Sequence, residues 1–177
     1  MGLKSVGPGA NTPDEINVII EIPANSAPVK YEVDKESGAV FVDRFMSTPM
    51  FYPCNYGYVP ESLALDDDPL DVLVVTPFPL ISGTVIEARP VGVMNMIDEA
   101  GDDSKLVCVP IDRLSRLYRQ IRNYNDLPSP LIEQLGHFFA HYKDLEPNKW
   151  VEIKGWEGPD EARRQIVEAL ELYKKTS

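Results

Sequence analysis

Apolar and polar positions follow short, strand-like patterns through the first two thirds of the chain and switch to helical spacing only near the end. Ile16 to Ile22 is almost wholly apolar and predicts a strand. Val29 to Asp34 alternates, with Lys30 and Glu32 on one face and Tyr31 and Val33 on the other. A turn at Glu36-Ser37-Gly38 leads into Ala39 to Phe45, so these two segments predict a hairpin. Thr48 to Leu65 is long and aromatic, lacks a period and reads as loop. Asp71 to Thr76, Gly83 to Met96 and Lys105 to Val109 are β-rich, with Pro90 marking a bend or an edge. Residues 1–15 read as an irregular arm.

The first helical signal is Ser129-Pro130, an N-cap followed by proline at the first helical position. Leu131, Leu135, Phe138, Phe139 and Tyr142 then recur on one face. Pro159 opens a second helix faced by Ala162, Ile166, Leu170 and Tyr173. Between the two, Trp150 to Ile153 reads as a short strand. Short strands followed by two helices predict an α+β fold with a mainly β core, built on a small barrel. No linker or repeat divides the chain, so residues 1–177 are expected to form one domain.

Composition narrows the function. The net charge of −11 opposes nucleic acid and anionic membrane as partners. No apolar run approaches the ~20 residues of a membrane span, and the start of the chain does not read as a secretory signal. The two cysteines, Cys54 and Cys108, have apolar or aromatic neighbours. They are expected to be buried thiols in a reducing, cytoplasmic compartment.

The chemistry concentrates in Asp66-Asp67-Asp68-Pro69-Leu70-Asp71, four carboxylates within six residues. Asp98, Glu99, Asp102 and Asp103 form a second group. No lysine or arginine lies between Phe45 and Ala88 or between Pro90 and Ser104, so local cations do not compensate these charges. Divalent ions that favour oxygen ligands would. A generic acidic run is usually a solvated loop. Here Pro69 stiffens the run, and Asp71 leads directly into an apolar strand. The EF-hand pattern fails, because Leu70 and Asp71 fall where an acid or amide and then glycine are needed. A phosphate-binding P-loop and zinc ligand spacings are absent. His137 and His141, one helical turn apart, read as packing or subunit-contact residues. A second, basic and aromatic set comprises Lys30, Arg44, Tyr52, Tyr56, Lys105, Tyr142 and Lys143. Alongside metal-binding acids, such groups suit a polyphosphate substrate.

Asp66-Asp67-Asp68-Pro69-Leu70-Asp71-Val72 fits the pattern D-x-D-P-x-D followed by an aliphatic residue. With Glu21-Ile22-Pro23-Ala24-Asn25, Lys30-Tyr31-Glu32, Val42-Asp43-Arg44-Phe45, Tyr52 to Tyr58, Asp98 to Lys105 and His141 to Leu145, it resembles the bacterial type of family I soluble inorganic pyrophosphatase. The likeness runs from about residue 10 to the last helix. It implies a five-stranded OB-like barrel, mostly antiparallel, flanked by two C-terminal helices. It implies Mg²⁺-dependent hydrolysis of pyrophosphate to two phosphates by in-line attack of a metal-activated water, with Asp68 as general base. Several Mg²⁺ ions would bind, with Mn²⁺, Zn²⁺ or Co²⁺ as substitutes. Asp66, Asp71, Asp98 and Asp103 would hold metal, and Glu21 would act through water. Lys30, Arg44, Tyr56, Tyr142 and Lys143 would contact the phosphoryl groups, with Arg44 and Lys143 also catalytic and Glu32, Tyr52 and Lys105 supporting. The resemblance further implies a homohexamer.

Three rivals stand beside this reading. They are a non-catalytic, divalent-cation-binding barrel, an oligonucleotide-binding module, and a hydrolase of nucleotides or polyphosphate. The second draws only on Arg113, Arg116, Arg119 and Arg122, whose spacing better fits a solvated face or subunit contact.

Overall fold

The computed structural model describes residues 2–176, so the two chain ends, Met1 of the expected arm and Ser177, lie outside the described residues. Among the described residues, nine strands and two α-helices follow one another as β1 (Ile16–Ile22), β2 (Val29–Val33), β3 (Val40–Phe45), β4 (Asn55–Tyr58), β5 (Asp71–Val74), β6 (Val85–Asp98), β7 (Gly101–Asp102), β8 (Lys105–Pro110), α1 (Ser129–His141), β9 (Val151–Glu157) and α2 (Pro159–Thr176).

The β-branched run of β1 pairs antiparallel with both β4 and β6. β4 continues to β5, β5 to β8, and β8 back to β6. These pairings return to β1, which gives the five-stranded, OB-like arrangement. It is not uniformly antiparallel, because β5 and β8 run parallel. Nor is it an even ring, since β6 also carries β9 and β7. The predicted hairpin of β2 and β3 forms a separate two-stranded sheet.

Two sequence expectations, the loop at 48–65 and the cap of α1, need correction. The aromatic stretch 48–65 contains β4, whose four residues are all buried. Of the two readings of Pro90, the bend holds and the edge does not: it lies inside β6, where the register with β8 shifts between Pro90 and Gly92. That irregularity accommodates the missing N–H donor. Ser129 is already the first residue of α1; Pro128 occupies the cap position and offers no side-chain bond.

Alternation along β5 and β8 sorts the core. Val72, Val74, Leu106 and Cys108 join a cluster with Ala162, Ile166 and Ala169 of α2. Leu73, Val75, Val107 and Val109 join another with Leu135, Phe138 and Phe139 of α1 and the aromatic residues Tyr52 and Tyr56. Both faces are covered, which explains why these strands read as continuous apolar runs. Asn55 is fully buried and ties the loops together. Its Oδ1 accepts from Ala24 N and Leu80 N, and its Nδ2 donates to Val74 O and Thr76 Oγ1. Cys54 and Cys108 are buried free thiols whose pKa burial pushes up. Among the described residues no helix is long and apolar enough to cross a membrane.

The β1–β4 pair is tight at Gly57, opposite Ile20. A Cβ there would lie 2.0 Å from Ile19 O and 2.9 Å from Ile20 Cα, both backbone atoms that cannot swing aside. Gly57→Ala is therefore expected to destabilise the protein by about 3 kcal/mol or fail to fold. Urea unfolding checks this; a loss below about 1 kcal/mol would contradict so close a strand contact.

Candidate active site

The site forms where the α1-facing side of the sheet runs out of apolar residues. Asp71 has the same strand parity as Leu73 and Val75, and Lys105 the same as Val107 and Val109. In the parallel β5–β8 pair, Asp71 and Lys105 are register partners. On β6, Asp98 continues the series Met94, Met96. Tyr142 and Lys143 follow the end of α1, so its apolar face leads directly into the polar group.

Together these elements enclose a cavity of about 370 Å³. All fourteen residues to which the family resemblance gives a role line it: Glu21, Lys30, Glu32, Arg44, Tyr52, Tyr56, Asp66, Asp68, Asp71, Asp98, Asp103, Lys105, Tyr142 and Lys143. Lys35 and Lys149 line it as well, and sequence reasoning missed them. Lys35 closely follows the alternating strand and was one surface lysine among several; its Nζ lies 3.9 Å from Asp68. Asp67, Glu99 and Asp102 of the acidic clusters do not line the cavity. The other candidate groups lie elsewhere. Arg113 pairs with Glu87, and Arg119 and Arg122 approach Asp112 at 3.7 and 3.8 Å. His141 meets Asp144 at 2.8 Å.

Lys105 is the internal counter-ion. It is 2% exposed, and its Nζ lies 2.6 Å from both Asp71 Oδ2 and Asp103 Oδ1. Burial works against its charge, but the two carboxylates outweigh that and raise its pKa. Lys143 resembles it: burial opposes the ammonium, while Tyr142 and the 2.7 Å bond to Asp98 favour it, for a net rise. On the hairpin, Lys30 meets Glu32 at 2.9 Å and Asp43 at 3.6 Å. Arg44 Nε is buried with no hydrogen-bond partner, a donor left free beside the cavity. Burial raises the pKa of Tyr52, Tyr56 and Tyr142, so their hydroxyls remain donors near neutrality.

The acids are less satisfied. Burial raises the Asp66 pKa, and the nearby charges of Asp103, Asp68 and Asp71 add to that. Glu21 is held by Val33 N at 2.8 Å, yet burial pushes its pKa from 4.5 to about 7. Oxygen-only donors with excess negative charge suit a hard divalent cation. Among the described residues no three such side chains already converge as a ligand set. Mg²⁺ does not require one, since it takes one or two carboxylates and completes its shell with water and phosphate. The donor chemistry therefore fits.

The raised pKa of Glu21 has a definite sign. Its penalty is absent below the unfolded value of 4.5, grows as pH rises, and is complete above about 7. In EDTA, Glu21→Gln is expected to match the parent near pH 4 and exceed it by up to about 3 kcal/mol at pH 8. Urea unfolding across that range checks the trend; a pH-independent difference would contradict it.

The family model for inorganic pyrophosphatase matches residues 18–174. The chain is 59% identical to the inorganic pyrophosphatase of Escherichia coli (strain K12), over 98% of this chain and 99% of that one. It is 56% identical to the Pseudomonas aeruginosa enzyme of the same name, over 99% and 100%. The solved structure of an inorganic pyrophosphatase from Coxiella burnetii superposes with a TM-score of 0.92 at 50% identity, over 95% of this chain and 99% of that chain. The chain that folds these acids, cations and tyrosines around one cavity belongs to the inorganic pyrophosphatase family.

Proposed function

We propose that the protein hydrolyses inorganic pyrophosphate to two orthophosphates with Mg²⁺, acting as a single domain. One observation carries this reading: seven carboxylates and six cationic side chains line the same cavity. A surplus of acids suits metal, and free donors suit phosphate oxygens. Family membership supports it.

Asp66, Asp71, Asp98 and Asp103 would hold the metal ions, with Glu21 acting through water. Bound there, divalent cations neutralise phosphate oxygens and make water more acidic. Asp68 accepts the proton of the attacking water at its carboxylate, which lies at the open side with 77% of its side chain exposed. Lys30 and the Tyr56 hydroxyl hold the phosphoryl group under attack. Arg44, Tyr142 and Lys143 receive the departing phosphate and stabilise its growing charge. Lys105 keeps Asp71 and Asp103 in place, and Glu32 and Tyr52 support Lys30 and Tyr56. We place the protein in the cytoplasm, which suits its buried, unpaired thiols. We also infer a homohexamer; a light-scattering mass equal to the 19.8 kDa chain would refute that part.

Phosphate release from pyrophosphate, with Mg²⁺ and an EDTA control, tests the reaction. Release abolished by EDTA is expected, with little from triphosphate or ATP. No release from folded protein with Mg²⁺, Mn²⁺ or Co²⁺ would leave a cation-binding barrel instead. Asp68→Asn is expected to lower kcat by about 10²-fold or more with metal affinity nearly kept. Asp71→Asn should lose both rate and metal affinity. Equal, small losses from the two, measured in Mg²⁺ titrations, would contradict these roles.

A further inference from the structure

Between Asp144 and Trp150 every residue is exposed except two, Glu146 and Lys149. An acid turned inward from an exposed loop requires a reason, because desolvation costs it without a partner. Only 12% of the Glu146 side chain is exposed. Its Oε2 lies 3.0 Å from Lys149 Nζ and 3.9 Å from Arg44 Nη1. Lys149 and Arg44 both line the cavity, and Glu146 does not. The loop is built for this arrangement. Glu146 N bonds to Lys143 O, Lys149 N bonds to Glu146 O, and Asn148 takes a φ of 62° that turns the chain back. Asparagine tolerates that left-handed conformation better than most residues.

We infer that Glu146 is a positioning residue, whose carboxylate holds Arg44 and Lys149 side by side so that they grip the departing phosphate as a pair. This rests on the pyrophosphate reading above and adds Lys149 to the phosphate contacts. Arg44 comes from β3, on the separate hairpin, while Lys149 and Lys143 come from the turn after α1. Glu146 spans the two. The other acid near Arg44, Asp43, lies 3.9 Å from Nε and is shared with Lys30 at 3.6 Å. Without Glu146, Arg44 and Lys149 face each other as like charges, and the guanidinium fork loses its orientation.

The sign of the effect separates this role from its rivals. A mere background charge repels phosphate, so removing it would tighten phosphate binding. A positioning carboxylate predicts the reverse. Glu146→Gln, which nearly keeps the shape, is expected to weaken orthophosphate binding about tenfold by calorimetry. At saturating Mg²⁺, kcat/KM for pyrophosphate should fall by a similar factor or more, with kcat lowered as well as KM raised, while the Mg²⁺ midpoint of activation and the Tm barely move. Glu146→Asp, which keeps the charge but shortens its reach, should lie between parent and Glu146→Gln. In a Lys149→Met background, Glu146→Gln should cost less than it does alone. Unchanged or tighter orthophosphate binding in both Glu146 variants would overturn the inference. So would strictly additive losses with Lys149→Met, or an activity loss that simply tracks Tm. Orthophosphate binding is read without turnover. A parent that binds phosphate but does not hydrolyse pyrophosphate would therefore sink the proposed reaction and leave the Glu146 comparison intact.

Discussion

The buried ammonium of Lys105 is the contact on which the site depends. It sits between Asp71 and Asp103, 2.6 Å from each, with almost no access to solvent. Taking such a charge out of water costs several kcal/mol, which the two carboxylates must offset. The arrangement therefore exists only while β5 and β8 keep their parallel register. The same register buries Leu73 and Val107 against α1. Folding and chemistry thus rest on one strand pair. Two negative charges meet one positive there, and the local excess is negative, ready for a further cation.

Much of this was legible in the sequence because the relevant signals are short-range. β1, β2, β3 and β8 announce themselves by apolar runs or alternation within five to seven residues. The acidic run beside Pro69 is local too, and its distance from any lysine or arginine made it conspicuous. β4 escaped because Asn55-Tyr56-Gly57-Tyr58 has neither the aliphatic residues nor the polar alternation of a half-exposed strand. It is buried on both sides, with its asparagine satisfied by distant loops. That satisfaction is tertiary, and no local pattern reports it. The start of α1 misled for a related reason: Ser129-Pro130 looks like a cap and first residue, whereas the turn at Pro128 already enters the helix.

The site divides in the same way. Aspartates in a run, and tyrosines or lysines inside recognisable blocks, were found. Lys35, Glu146 and Lys149 were not, since a lone charged residue in a polar loop usually faces solvent. Only the fold shows that Glu146 and Lys149 turn inward while their neighbours do not. The whole-chain charge of −11 hides a similar distinction. The cavity wall pairs most of its acids with cations, so the net number says little about what a polyanion meets on entry.

The parity of β5 and β8 has one more consequence. In each strand, odd-numbered residues serve α1 and the cavity, and even-numbered residues serve α2. Deleting a single residue from either strand would exchange the two sets, sending Asp71 or Lys105 into an oily layer and an aliphatic side chain into the cavity. Variation by single-residue insertion or loss is thus closed to this part of the molecule. Changes of length belong instead in the loops between, where no strand register has to be kept.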